Sequence, residues 1–351
     1  MDSSYFRLYA CCLPVKGAKR SMICDVQRNS FHLTPNGLYE ILTTHGSQSI
    51  EEIKATYQNQ YDETIEEYFD FLVTNEFGFY CNKEDLELFP DIDLYWDETA
   101  HITNAIIDVN QESGHEFSTI LDEFEQLGCK HFQLRSYIEK PLSYFNEILQ
   151  NLENRRIISV EFLLKATAET TLENLKGLTD KYPRIHTIMI HSAHENSIAY
   201  RDPSGMGNVV FIKQHINDSS HCGVISTDYF SINLKTFTES QKQNTCLNRK
   251  ISIDAEGNIK NCPSMTKSYG NIRDTTLREA IEKQGFKDVW YIHKDQIEVC
   301  KDCEFRHICT DCRAYIQDPN NIYSKPAKCS YDPYTATWGA ENPTNNPLHG
   351  Q

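Results

Sequence analysis

The sequence predicts an α/β protein in three parts, and three observations carry that expectation. Strand-like apolar runs alternate with helical patterns roughly every twenty-five to thirty residues through the middle of the chain. Two strand-like runs and three short helical patterns precede this region. From Cys246 onward, cysteines recur at ordered spacings. A chain of 351 residues is long enough for two or three domains and a sizeable core.

In the first part, "YFRLYACCLPVKG" and "RSMICDVQRNSFHL" have strand composition, with a turn at Lys16-Gly17. Thr34-Pro35 opens a helix, since Thr caps and Pro is tolerated in the first turn. Ser49 with Glu52, and Thr64 with Glu67, have the spacing of capping boxes. After the second, Ile65, Tyr68, Phe69, Leu72 and Val73 recur at helical spacing and build one apolar face. With "EFGFYCN" as a late strand, the order reads as a winged helix. Its capped helices carry Glu51, Glu52, Asp62, Glu63, Glu66, Glu67 and Asp70, which disfavours DNA as the ligand. An extended peptide added to a sheet edge suits such a surface better.

In the second part, "ITNAIIDVN", "KHFQLRSY", "IISVEFLLK" and "IHTIMIHSA" read as strands. Between them lie the helices "FSTILDEFEQLG", ended by Gly128, "PLSYFNEILQNLENR", begun by Pro141, and "TLENLKGLTDKYPR". "NVVFIKQ" and "FSINLKTF" read as two further strands. This is the pattern of βα units on a parallel sheet. It is long enough for a partial barrel of about six units, short of the ~250 residues of a full eight.

Composition narrows the function classes. A net charge of -16 argues against a nucleic-acid backbone as partner. No apolar run approaches the ~20 residues that span a bilayer, so no membrane partner is expected. The N-terminal "MDSSYFRLYACCLPVKG" has no charged region followed by an apolar core, so no signal peptide is visible and a cytoplasmic location is expected. Thiols there stay reduced, and dense cysteine spacing points to metal.

Seven of the thirteen cysteines fall from Cys246 onward. Cys300, Cys303, Cys309 and Cys312 follow C-x2-C-x5-C-x2-C, with Cys329 downstream and Cys246 and Cys262 upstream. A zinc ribbon separates its two C-x2-C pairs by a longer loop than the five residues here, although one four-cysteine zinc site remains an alternative. Seven thiolates are close to two four-cysteine iron–sulfur sets.

The spacing has a family form. Cys246 and Cys262 fit C-x9-15-G-x4-C, with Gly257 in the glycine position. This resembles the SPASM domain, the auxiliary-cluster module of peptide-modifying radical-SAM enzymes. The resemblance implies two [4Fe–4S] clusters, one held by Cys300, Cys303, Cys309 and Cys329, the other by Cys246, Cys262 and Cys312. It departs from the pattern in having x2 rather than x3 before Cys312. A further cysteine that some members carry shortly before the first is missing from "TFTESQKQNT", leaving a fourth position open. The βα region is similar to a radical-SAM barrel, and the N-terminal unit to a leader-peptide recognition element. The implied division is 1–95 recognition element, 96–240 degenerate partial barrel, 241–340 SPASM domain and 341–351 flexible tail.

The SAM site itself is missing. Radical-SAM enzymes place C-x3-C-x2-C after the first barrel strand, and no such motif occurs anywhere in this sequence. "IIDVNQESGHEF" stands in its place, and "LRSYIEKPL" replaces the Gly-rich loop for the SAM amino group. SAM is therefore not an expected cofactor. "DVQRNSFHLTPNGLYEIL", "CLNRKISIDAEGNIKNCPSM", "GNIRDTTLREAI" and "KPAKCSYDPYTATW" resemble the SPASM peptide maturases of grasp-with-spasm systems. That implies maturation of a ribosomally made precursor peptide together with an ATP-grasp ligase. The expected role is an accessory subunit that binds the leader. A redox or peptide-modifying iron–sulfur enzyme, and a zinc-binding adaptor or regulator, are the alternatives. His191 and His194 lie at a strand end where barrel catalysts sit, although a loop histidine more commonly only meets solvent. Arg135 either faces the barrel mouth or pairs with Glu139 or another carboxylate. Cys11 and Cys12, if both on a strand, point to opposite faces and cannot share a metal.

Overall fold

The structure is a computed structural model that describes residues 4–339. The expected tail, 341–351, lies outside the described residues.

The N-terminal unit has four strands before its first helix, where two were expected. They are β1 (Tyr5–Leu8), β2 (Cys12–Lys16), β3 (Ser21–Asp25) and β4 (Ser30–Thr34). Local turns split each run. Cys12 N–H bonds the Tyr9 carbonyl at 2.9 Å, which breaks the first run before β2. Asp25 Oδ1 accepts the N–H groups of Gln27 and Arg28 at 3.0 and 2.9 Å, an Asx turn that Asn29 completes at φ 54°. Helices α1 (Asn36–Thr44), α2 (Ile50–Thr56) and α3 (Asp62–Thr74) follow, then β5 (Gly78–Cys81). Ser49 and Glu52 form the expected capping box. Thr64 does not cap: α3 starts earlier, with Asp62 and Glu63 in its first turn, where carboxylates favour the helix dipole. Pro35, not Thr34, is the N-cap of α1. Strand β5 pairs with β1, while β2, β3 and β4 form a separate antiparallel meander.

Strand β3 is buried along its whole length, and its side-chain alternation joins two cores. Ile23 packs with Phe6, Leu38, Ile65, Phe69 and Leu72 under the helices. Met22 and Cys24 face away, into a cluster with Phe305, Ile308, Cys309 and Tyr331 of the cysteine-rich region. The β2–β3 turn is docked there as well. Ala18 N–H bonds the Asp302 carbonyl at 2.7 Å, and Arg20 Nε donates to Glu304 Oε1 at 2.7 Å.

The middle of the chain forms the expected strand–helix alternation. It comprises β6 (Asn104–Val109), α4 (Phe117–Leu127), β7 (His131–Ser136), α5 (Leu142–Gln150), β8 (Ser159–Lys165), α6 (Leu172–Lys181), β9 (Ile185–His191), β10 (Ser197–Tyr200) and β11 (Asn208–Phe211). Gly128 ends α4 at φ 78°, a left-handed position that favours glycine. "FSINLKTF" is not a strand. Asn233 accepts the Thr236 N–H at 2.8 Å and caps α7 (Leu234–Glu239), whose Phe237 is buried.

The cysteine-rich part contributes β12 (Lys250–Ile253), β13 (Ile259–Lys260) and α8 (Leu277–Glu282). Its first strand extends the central sheet: β12 runs parallel to β6, giving the order β10-β11-β9-β8-β7-β6-β12-β13. Six of these eight strands are mutually parallel, and β10 and β13 form antiparallel edges. One face carries Ile107, Leu134, Phe162, Ile188 and Ile251 against α4, α5, α6 and α8. By strand alternation the other face carries Asp108, Arg135, Leu163, Met189 and Lys250.

Candidate metal centre

Two groups of cysteine thiols form, one on each side of a buried polar hub. Around the first, Val299 takes φ 67° and Cys303 N–H bonds the Cys300 carbonyl at 3.0 Å. Cys309 N–H bonds the Phe305 carbonyl at 3.0 Å, which folds the five-residue gap into a turn. The chain then returns through an Ile316–Pro326 bridge, with Ala327 N–H on the Tyr315 carbonyl at 2.9 Å, and delivers Cys329. Cys303 and Cys329 pack against the cluster that contains Cys309. Burial pushes the Cys309 thiol up to about 12; Lys294 opposes this, and Cys329, Cys300 and Asp311 add to it. Burial raises Cys303 too, helped by Cys309, Glu304 and Cys300. Cys300 and Cys329 thus lie near Cys309, and Cys300 and Cys309 near Cys303.

The second group gathers at the β12–β13 hairpin. Gly257 makes the turn at φ 88°, and a Cβ there would stand 3.1 Å from Asn271 Oδ1 and 3.2 Å from Ile272 Cγ1. This is the physical reason for a glycine between Cys246 and Cys262. Burial pushes Cys262 up to about 12, with Cys246 and Cys222 adding to the rise. Cys312 is raised by burial and by Cys246 and Cys222. A fourth thiol, Cys222, which sequence reasoning did not select, is near enough to act on both.

Each group has its own lysine. Lys250, from β12, donates to Cys246 Sγ at 3.7 Å. Burial depresses its ammonium, but Cys246, Cys262 and Cys222 more than restore it. Lys294, 5 % exposed, is likewise opposed by burial and raised overall by Cys309, Cys300, Asp311 and Cys329. Between the groups, buried Asp311 accepts from Arg313 at 2.7 Å and Asn244 at 2.6 Å, with Lys294 Nζ at 3.7 Å. Asn244 Oδ1 in turn accepts the Cys246 N–H at 3.0 Å and the Leu247 N–H at 2.8 Å. None of Lys250, Lys294, Asn244 and Asp311 belongs to the cysteine pattern. A buried Lys or Asp has no signal in a sequence beyond its neighbours.

The thiol spacing bears on which metal suits these residues. One zinc ion, binding thiolates at about 2.3 Å, draws its sulfurs to within about 4 Å of one another. Among the described residues no three cysteines of either group lie mutually within 4.8 Å. A cubane binds each thiolate to a different iron and so holds them further apart. Thiol groups that each have a buried cation suit anionic iron–sulfur clusters.

The other candidates resolve differently. Arg135 pairs with Asp108, not Glu139. Its Nε and Nη2 donate to the two carboxylate oxygens at 2.7 and 2.9 Å, and Tyr137 OH donates at 2.8 Å. Glu139 pairs instead with Lys165 at 3.3 Å. His191 is buried, its Nε2 held by the Ser136 carbonyl at 3.1 Å, while His194 is exposed. Cys11 and Cys12 do come together, with Asp25, within 4.8 Å. The expected separation fails because Cys11 belongs to the turn before β2, so strand alternation does not apply to it. Asp25 is already committed to its Asx turn and has Arg28 Nη1 at 3.7 Å.

Residues 245–304 match the SPASM family, an iron-sulfur cluster-binding domain. That segment of this protein is therefore similar to a cluster-binding domain, set in a mixed α/β chain. No curated protein matches the chain. Among solved structures, Streptococcus suis SuiB bound to S-adenosylmethionine is similar at 11 % identity and TM-score 0.34, over 90 % of this chain and 95 % of that one. SuiB bound to precursor peptide SuiA is similar at 10 % identity and TM-score 0.34, with the same coverage.

Proposed function

We propose that this protein takes part in maturing a ribosomally made peptide. It binds the precursor's leader and acts with an ATP-grasp ligase, carrying two auxiliary iron–sulfur clusters but no SAM radical chemistry. Residues 1–95 serve as the recognition unit, a winged-helix-like element; 96–240 as a degenerate partial barrel; and 241–340 as the cluster domain. Cys300, Cys303, Cys309 and Cys329 would hold one [4Fe–4S] cluster, and Cys246, Cys262 and Cys312 the other. Such clusters supply electron transfer or structural cross-linking when bound.

The observation that carries this reading is the pairing of the thiol groups with a cleft of mixed polar and apolar lining in the N-terminal unit. A cavity of about 720 Å³ is lined by residues of β1, β2 and α1 and by Phe237, Arg306 and His307. Strand β1 pairs only with β5, and β2 only with β3, so each has an edge without a strand partner among the described residues. A free edge beside a cleft suits an extended peptide added as a strand. The same chain segment that lines the cleft, Arg306–His307, lies between Cys303 and Cys309.

The absence of SAM chemistry is supported by what fills the end of β6 and β7. Asp108 and Arg135, register neighbours near the ends of these strands, are committed to each other as a buried ion pair. The β6–α4 loop contains no cysteine. A redox role is the second reading, favoured by Lys250 placing the second thiol group on the same sheet face as Arg135.

The test is anaerobic purification followed by metal analysis, an absorbance spectrum and calorimetry with SAM. Sulfur-to-iron absorbance with iron as the principal metal, and no heat from SAM, is expected. Zinc in place of iron, or reductive cleavage of SAM to 5′-deoxyadenosine, would overturn the reading.

A further inference from the structure

We propose that Cys222 is the fourth thiolate of the second cysteine group, joining Cys246, Cys262 and Cys312 from the segment that leaves the central sheet. The inference rests on the cluster reading above and fills the position that the stretch before Cys246 leaves open. Twenty-three residues separate Cys222 from Cys246, so sequence spacing gives no hint of it.

The loop that bears Cys222 is fastened to the cysteine-rich region at three points, each next to a ligand candidate. Ser264 Oγ, two residues beyond Cys262, donates to the Ser219 carbonyl at 2.9 Å. Tyr315 OH, three beyond Cys312, donates to the same carbonyl at 3.4 Å. Lys328 Nζ, beside Cys329, donates to the Cys222 carbonyl at 2.6 Å and to that of Ser220. Gly223 then takes φ 82°, and a Cβ there would stand 2.7 Å from Cys312 Sγ and 3.4 Å from Cys312 Cβ. Only glycine lets the backbone press this closely on that sulfur. The backbone that carries Cys222 is thereby held against Cys312.

Among the described residues Cys222 is the one exposed cysteine. A free thiol in that position would be open to alkylation, whereas a metal-bound one would not. On binding iron the thiol releases its proton to solvent and forms one sulfur–iron bond, with no change of oxidation state. With four thiolates, every iron of the second cluster has a protein ligand. The cluster would then act as a staple between the sheet and the cysteine-rich region rather than as an open binding site for peptide.

The experiment uses full-length, anaerobically purified protein. Thiols are labelled with iodoacetamide and mapped by mass spectrometry before and after iron is stripped by chelator and oxidant. Cys222→Ala is examined in parallel by iron analysis and electron paramagnetic resonance. The expected result is protection of Cys222 in the loaded protein and labelling after stripping. Oxidised Cys222→Ala should show a [3Fe–4S] signal that the parent lacks, because a three-thiolate site loses its unligated iron. Rapid labelling of Cys222 in protein that retains iron for two clusters would overturn this inference and leave the cluster reading standing. A parent protein without iron would overturn both. If Cys222→Ala fails to fold, the labelling of the parent still decides.

Discussion

The Lys250 ammonium lies 3.7 Å from Cys246 Sγ, and Lys294, buried near the other thiol group, stands 3.7 Å from Asp311. A positive charge beside an anionic cluster stabilises its reduced, more negative form. Replacing either lysine by Met should therefore lower the potential of the neighbouring cluster, on the order of 100 mV for one near charge in a protein dielectric. Protein-film voltammetry of the two variants checks this. Each should move one wave and leave the other in place. If neither wave moves, the lysines do not face clusters.

Asp108 and Arg135 give a second prediction. Both are buried, and burial pushes the Asp108 carboxyl upward against the pull of Arg135 and Tyr137. Arg135→Met leaves that carboxyl with Tyr137 alone and should cost about 3–5 kcal/mol in denaturant unfolding. Asp108→Leu combined with Arg135→Met removes both charges and should recover most of the loss. A double variant no more stable than the single one would mean that the pair does more than satisfy itself.

These cases show what a sequence can and cannot carry. Gly257, Gly128, Ser49 and the alternation of strands with helices are local signals, set by backbone conformation and side-chain period, and the structure has each of them. The cysteines from Cys246 onward were legible as a candidate set because their spacing is regular. Cys222 was not, since its approach depends on how the chain leaves β11 and crosses to Ser264 and Tyr315. The extra strands at the N-terminus failed for a related reason: Asp25 and Asn29 define a turn inside what reads as one apolar run. Arg135 offered two partners, and only strand register chose Asp108 over Glu139.

His191 makes a third prediction, on acid stability. Its Nε2–H faces the Ser136 carbonyl at 3.1 Å, and its Nδ1 accepts from Ser192 Oγ at 3.0 Å and from Ile216 N–H at 3.4 Å. Burial, then the positive potential of nearby His215, Lys165 and His221, holds its titration below the ordinary value, with the Ser136 carbonyl in opposition. The unfolded chain binds the proton first as pH falls, so stability is full above the ordinary histidine value of about 6.5 and declines as pH drops below it. Melting temperature should fall between pH 7 and pH 5. His191→Gln, less stable at neutral pH, should show a shallower fall. Equal slopes would assign the acid loss to other groups.

The last prediction concerns Cys329, which the chain brings back across the loop from Tyr315 to Pro326. The cysteine-rich region has few long regular elements: α8 has six residues and β13 two. Its buried side chains are shared between two cores, Leu277, Ile281, Phe286 and Trp290 with the central sheet, and Phe305, Ile308, Cys309 and Tyr331 with β3. A structural metal supplies about 10–16 kcal/mol of apparent folding free energy, as much as the ~5–15 kcal/mol stability of a whole domain. Cys329→Ala should then remove the iron of one cluster and lower the melting temperature, and the change should reach the N-terminal unit through the docking of Phe31 on Phe305 at 5.4 Å. Cys129 is the control. It is buried beside α4, 1 % exposed, with its Sγ donating to the His131 carbonyl at 3.3 Å. Cys129→Ala should cost about 1 kcal/mol for the lost sulfur contact and leave the iron content unchanged. Iron analysis and melts of both variants separate the two effects. Full metal content and an unchanged melt in Cys329→Ala would rule out Cys329 as the residue that closes the first group.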